Sequence, residues 1–239
     1  KQVLARDPAN LQALALSPRL SMAKGDADQA VTELEKLVKL NPKNPRTHYQ
    51  VAVAALVNND QARALSSLTQ ATTLDPDYAE AALLLAELRL RRGEAAVAMT
   101  SLTRLLQKHP SLVQARLLLA VAHRAQNDLD QALGVYRALA RDYPTNPQPL
   151  LMAGMIQRQQ RDQAAARVTF ENAVKMQPGY LPAVEQLVQM DLVERKFENA
   201  RRRVETELSR HTNSPLPSML LSQVYLAQTN LAQAEVALL

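Results

Sequence analysis

The 239-residue sequence has no cysteine and no tryptophan, and aromatic residues make up only 3% of it. Without cysteine there are no disulfides and no thiolate metal sites, whatever compartment the protein occupies. No apolar run approaches the roughly 20 residues that span a bilayer, and no secretory signal is visible. A glycine-rich phosphate loop, a nucleophile elbow and a recognisable carboxylate pair are missing too. Catalysis is therefore not expected of this segment, and neither is a cofactor. The histidines, His48, His109, His123 and His211, share no metal-ligand spacing. Few β-branched runs, set against abundant alanine and leucine, favour helix over strand.

What the sequence does contain is a period. Alanine recurs every 34 residues, at Ala30, Ala64, Ala98, Ala132, Ala166, Ala200 and Ala234. Proline keeps the same spacing, at Pro8, Pro42, Pro76, Pro110, Pro144 and Pro178. A fixed period in this range marks an array of stacked units, each unable to bury its apolar face alone. Such an array has no natural active-site cleft and offers an extended surface, so binding is its expected occupation.

Residues 79 to 112 show one unit. Ala82, Leu85, Ala86 and Leu88 form one stripe of an amphipathic helix, and Gly93 ends it where left-handed dihedrals are needed. Glu94 follows, with Asp26, Asp60, Asp128, Asp162 and Asn230 at equivalent places, as suits residues that cap a helix N-terminus. A second helix runs from about Ala95 to Lys108 with Ala98, Leu102, Leu105 and Leu106 inward, and Pro110 stops it. Each unit is thus two helices of roughly 12 to 14 residues, too short to be stable alone in water. The periodic alanine is expected where the two helices approach closely. A larger side chain there should cost about 1–3 kcal/mol.

These residues resemble the tetratricopeptide repeat, whose pattern has a small residue at position eight, Ala at twenty, a large apolar residue at twenty-four and Pro at thirty-two. Here position eight reads Pro18, Ala52, Ala86, Ala120, Gly154, Val188 and Ser222, and position twenty-four reads Leu34, Leu68, Leu102, Tyr136, Phe170, Val204 and Leu238. The resemblance implies an all-α fold, a right-handed α-solenoid superhelix of tandem antiparallel helix pairs. The expected organisation is a single array over 1–239. The end of a preceding repeat (1–10) is followed by repeats at about 11–44, 45–78, 79–112, 113–146, 147–180 and 181–214, then a partial repeat at 215–239. Lys1 and Leu239 hold the same place in the period, and Leu231, Val236, Leu238 and Leu239 form half a helix with nothing to cover it. A fragment of a longer protein is therefore expected, because native arrays end in polar caps.

Three departures stand out. The fourth position, Trp in the pattern, is never Trp here. Pro18 falls inside a first helix, which it should break or kink at a cost of about 3 kcal/mol. Thr212 stands where proline is expected, before Asn213-Ser214-Pro215, so an irregular sixth junction is expected.

By the same resemblance the first helix of each pair lines the concave side, through positions two, five, nine, twelve and thirteen. The expected partner-binding face is Tyr49, Val53, Leu83, Glu87, Leu117, Val121, Arg124, Leu151, Met155 and Arg158, continuing to Gln189 and Met219. It pairs an apolar stripe with Arg124 and Arg158 at the twelfth position. That combination suits an extended peptide or short helix with an acidic flank. An Asn/Lys clamp for peptide C-termini is not expected, because the sixth and ninth positions contain no Asn.

The densest basic cluster is Arg195, Lys196 and Arg201-Arg202-Arg203. Glu198, Glu205 and Glu207 lie four residues from Arg202, Arg201 and Arg203, so a solvated, self-neutralised helix face is expected. Nucleic acid is not expected as a partner, since only Phe197 is near to stack a base. His123, at position eleven, is expected to be structural.

The sequence reads as a non-catalytic protein–protein interaction scaffold. Its repeat wording, such as LDPDYAEAALLLAELRLRRG and MQPGYLPAVEQLVQMDLVERKFENAR, is similar to bacterial tetratricopeptide lipoproteins of the PEP-CTERM and exopolysaccharide systems. That likeness implies a periplasmic or outer-membrane-anchored protein in envelope assembly, with a cytoplasmic location as the alternative. Two other readings stay open: a non-catalytic arm of a larger enzyme such as a glycosyltransferase, and a rod that self-associates through its end helices.

Overall fold

Runs of alanine and leucine, each closed by a turn residue or a proline, become short helices. A computed structural model describes residues 11–210 and 214–238, and among them are fourteen α-helices. They are α1 (Leu11–Ala23), α2 (Ala27–Leu40), α3 (Pro45–Val57), α4 (Gln61–Leu74), α5 (Ala79–Arg91), α6 (Ala95–Lys108) and α7 (Val113–Ala125) in the first half. The second half holds α8 (Leu129–Asp142), α9 (Gln148–Gln159), α10 (Gln163–Met176), α11 (Leu181–Val193), α12 (Phe197–Arg210), α13 (Pro215–Ala227) and α14 (Leu231–Val236). The expectations placed on Lys1, Pro8, His211, Thr212, Asn213 and Leu239 lie outside the described residues.

The chain divides into two compact units, Lys1–Asn127 and Asp128–Leu239. Within the first, consecutive helices from α1 to α7 pack antiparallel on one another, and the first helices α5 and α7 also meet directly. Within the second, α8 to α14 do the same, with α11 against α13. The fold is all-α, as the period implies.

Local chemistry sets the ends of each helix. Asp26, Asp60, Asp162 and Asn230 accept hydrogen bonds from the backbone N–H of Gln29, Arg63, Ala165 and Gln233, which satisfies an otherwise orphaned donor of each second helix. Glu94 and Asp128 depart from this: neither side chain caps an amide of its helix, and Glu94 instead pairs with Arg92 at 2.8 Å. The second helices α2, α4, α6, α8 and α10 each end two residues before a proline of the period, clear of its ring.

The turn after each first helix needs a left-handed residue. Gly25 and Gly93 supply it at φ 77° and 78°, and Asn59 and Asn127 at 57° and 62°. Arg161, Arg195 and Thr229 hold the same conformation at φ 66°, 57° and 60° without being Gly or Asn. Thr229 is β-branched, the least suited of the three to φ above zero. Thr229→Gly is expected to raise stability by about 1 kcal/mol, read as a higher urea midpoint. An unchanged or lower midpoint would mean the threonine is not strained.

Pro18 does not break its helix. α1 runs through it for 13 residues, as long as α3 or α5, and the proline is buried. The compact ring sits at position eight, where the other repeats place Ala, Gly, Val or Ser, and packing of α1 against α2 offsets the lost hydrogen bond.

The periodic alanines are core residues. Six are fully buried and Ala234 is 3% exposed, which leaves no room for a larger side chain. Beside them, positions eight and twenty-four share core clusters in several repeats. Ala52 and Leu68 share one core cluster, Ala86 and Leu102 another, and Val188 and Val204 a third. Where position twenty-four is the larger Phe170, position eight is Gly154: a Cβ built there would lie 2.7 Å from Phe170 Cδ1 and 2.8 Å from Cζ.

Candidate functional site

The ten residues expected on the partner-binding face all lie on first helices, and the structure treats them unequally. In the first unit Tyr49 is half-buried, its ring tilted against Tyr78 with centroids 5.3 Å apart. Both rings cover the core cluster of Ala52, Leu68 and Leu85. Val53 is half-buried. Leu83, 7% exposed, belongs to the core with Ala86 and Leu102 and shows a ligand almost no surface. Glu87 accepts a hydrogen bond from Arg91 Nη2 at 2.6 Å, and the pair edges a cavity of about 200 Å³ with Leu56 and Leu84.

Leu117, Val121 and Arg124 are each half-buried. Their spacing of four and three residues along α7 puts them on one helical stripe. Arg124 makes no ion pair among the described residues.

In the second unit Leu151 packs against the cluster of Phe170, Ala173 and Ala183. Met155 is 37% exposed. Arg158 Nη1 donates to Gln186 Oε1 at 2.6 Å, across from α9 to α11. Met155 and Arg158, with Gln159, Gln163 and Gln186, line a cavity of about 250 Å³. Among the described residues no carboxylate pairs with Arg158. Farther along the same row of first helices, Gln189 Nε2 donates to Gln223 Oε1 at 2.9 Å. The second unit thus combines an uncompensated guanidinium, an exposed thioether and a set of amides on one surface.

The basic cluster resolves differently from the expected self-neutralised helix. Arg201 pairs along α12, with Glu198 at 2.6 Å and Glu205 at 3.7 Å. Arg203 does not pair with Glu207. Its Nε donates to Asp191 at 3.0 Å and its Nη2 to Glu171 at 3.1 Å, while the buried Glu207 pairs with Arg210 at 2.8 Å. The reason is Asp191, which is fully buried and needs cations around it. Arg167 supplies the second, at 2.6 Å, and also reaches Glu194 at 2.9 Å, which Lys196 contacts from outside at 2.5 Å. Hydrogen bonds from Lys196 and Arg167 hold the Glu194 carboxyl below the usual carboxylate range. The network ties α10, α11 and α12 together.

Asp191 belongs to a pattern that pairs position eleven with position twenty-three across a hairpin. Ser21 Oγ donates to Glu33 at 3.1 Å, Arg89 Nη1 to Ser101 Oγ at 3.3 Å, and Arg203 to Asp191. A polar residue twelve before another polar residue, on otherwise apolar faces, is the sequence signal for these latches. His123, half-buried, and Gln157, buried, stand at position eleven too.

Among the described residues no three His, Cys, Asp or Glu side chains converge as a metal site, and no helix is long and apolar enough to cross a membrane.

Three stretches, residues 19–79, 52–112 and 83–147, match the family model of the tetratricopeptide repeat. Together they run from residue 19 to 147, more than half of the chain. None of the curated protein sequences gives a significant match. Several solved structures share the fold. The C-terminal part of a repeat-containing protein from Cytophaga hutchinsonii superposes with a TM-score of 0.69 at 9% identity, over 92% of this chain and 91% of that one. YrrB, described as a tetratricopeptide protein with an unusual peptide-binding site, gives 0.66 at 14% identity, over 77% of this chain and 95% of its own. MamA from Desulfovibrio magneticus RS-1 gives 0.64 at 16% identity, over 71% of this chain and 96% of that one. At these identities the likeness is one of fold. The 34-residue period, the paired helices and the family match lead to one conclusion: this chain belongs to the tetratricopeptide repeat family.

Proposed function

We propose that the chain is a non-catalytic protein-binding scaffold whose first-helix face takes an extended peptide or short helix carrying acidic residues. The observation that carries this is Arg158. Its guanidinium meets an amide instead of a carboxylate, and it lines a cavity with the exposed Met155. Arg124, also without an ion pair, stands beside the half-buried Leu117 and Val121. A cation left uncompensated next to apolar surface favours an anionic, partly apolar ligand. Tetratricopeptide domains are in general protein-interaction scaffolds, and YrrB, of like fold, is described by its peptide-binding site. On the wording of its repeats alone, the scaffold would serve a bacterial envelope or exopolysaccharide assembly.

Peptides selected from a random display library on the intact chain should be rich in Asp and Glu. For such a peptide, Arg124→Glu with Arg158→Glu should weaken binding at least about tenfold, or about 1.4 kcal/mol, at an unchanged melting temperature. Both arginines are partly exposed, so folding does not depend on them. Unchanged affinity would remove this face from the account.

A further inference from the structure

Two turns of the second unit depart from what local chemistry favours, and both departures add positive charge. In the first unit the left-handed place after each first helix is held by Gly25, Asn59, Gly93 and Asn127, the residue types that adopt it most readily. In the α9–α10 and α11–α12 turns it is held by Arg161 and Arg195, at φ 66° and 57°. Lys196 then stands where the other turns place Asp, Glu or Asn, although a cation at a helix start opposes the helix dipole.

Nothing inside the fold accounts for the two arginines. Both side chains are exposed, and neither guanidinium makes a hydrogen bond or ion pair among the described residues. The carboxylates beside them are engaged elsewhere. Asp162 caps the Ala165 amide at 3.0 Å, Asp130 accepts from Gln160 Nε2 at 2.7 Å, and Glu194 holds Arg167 and Lys196. Backbone strain that brings the folded chain no contact points to a use outside it.

The two turns lie on one edge. The Arg167–Glu194 pair, 2.9 Å long, joins the start of α10 to the α11–α12 turn and so sets neighbouring turns side by side. The edge is continuous with the first-helix face: Gln159 and Gln163, which flank Arg161, line the cavity that holds Met155 and Arg158. Val193, 81% exposed and two residues before Arg195, adds apolar surface to it. Packed helices lie about 8–10 Å apart, so arginines one repeat apart match acidic residues about three apart in an extended chain.

We infer, resting on the first-helix face as a peptide site, that Arg161 and Arg195 form a docking edge for an acidic stretch of the partner protein. Each turn takes one carboxylate, and the acidic residues of the bound peptide continue along this edge beyond Arg158.

The test uses the whole chain and dye-labelled, end-blocked octaglutamate, followed by fluorescence anisotropy at low salt. Saturable binding is expected, with none for octaglutamine. Arg161→Asn with Arg195→Asn keeps the left-handed turns, as Asn59 and Asn127 do. The pair should weaken octaglutamate about tenfold, at about two- to fivefold for each exposed charge, and should raise the urea midpoint. A merely structural role for the arginines would lower that midpoint. Arg161→Lys with Arg195→Lys, which keeps the charge, should retain most of the affinity. About 1 M salt, where screening reaches in to about 3 Å, should abolish binding. Octaglutamate held as tightly by the Asn pair, a lowered urea midpoint for that pair, or no saturable binding would overturn the proposal. So would octathymidylate binding at least as tightly as octaglutamate, since the edge would then recognise polyanions in general. The two surfaces fail separately. A library-selected peptide that needs Arg124 and Arg158 but not Arg161 and Arg195 keeps the face and removes the edge. Octaglutamate binding lost in the Asn pair, with no acidic peptide from the library, keeps the edge and removes the face.

Discussion

Asp191→Ala is expected to destabilise the second unit by about 3 kcal/mol. Removing one partner of a buried ion pair costs about 3–5 kcal/mol, because the opposite charge stays behind without compensation. The low end applies here because Arg167 and Arg203 keep Glu194 and Glu171 and are only partly buried. The loss should concentrate in α10, α11 and α12, so hydrogen exchange ought to accelerate there first. Asp191→Asn, which keeps the volume and one acceptor, should cost less. Replacing the trio together, with Asp191→Leu, Arg167→Met and Arg203→Met, should recover much of the loss, since apolar groups can substitute for a buried ionic cluster. Glu205→Gln, on the exposed side of α12, should change stability by less than about 0.5 kcal/mol. A loss below about 1 kcal/mol for Asp191→Ala would show that the network does not hold the three helices together. The outer carboxylate adds a pH dependence of definite sign. Glu194 titrates lower in the folded chain than in the unfolded one. Its contribution is therefore present above the ordinary carboxylate pKa and disappears as pH falls through the lowered folded value.

Gly154→Ala should destabilise the same unit by about 1–3 kcal/mol, against the usual trend. Alanine is the better helix former by about 1 kcal/mol, so at an open helical site this change would stabilise. At Gly154 the new methyl meets the buried ring of Phe170, which has no free side to move into. Phe170→Leu alone leaves a cavity and should also destabilise. Combined, the two recreate the Ala–Leu pairing seen at Ala52 and Leu68, and the double variant should lose clearly less than the sum, with a coupling of about 0.5–3 kcal/mol. Chemical denaturation of all four proteins checks the cycle. Strict additivity, or a stabilised Gly154→Ala, would refute the account of why glycine occupies that helix.

Features set by local chemistry were legible: the alanine and proline registers, the caps at Asp26, Asp60 and Asp162, and the glycine that ends α5. Each depends on a residue and its near neighbours in sequence. Features set by contacts between helices were not. Leu83 shares its place in the repeat with Tyr49 and Leu117 but is closed into the core, because burial depends on the neighbouring helix and not on the period. Arg203 lies four residues from Glu207, yet the buried Asp191 twelve residues back outcompetes it. Pro18 was expected to break α1, but tertiary packing overrides its poor propensity.

Site-specific photo-crosslinking tests the claim that the first-helix face captures an acidic peptide most directly. A photoreactive residue is placed at Met155 on α9 and, separately, at Val168 on α10, which is 57% exposed and serves as the control. Each protein is then irradiated with a library-selected acidic peptide. The account predicts efficient crosslinks from position 155, lost on Arg124→Glu with Arg158→Glu, and none above background from position 168. Equal yields from both positions, or crosslinks from 155 that survive the charge reversals, would contradict it.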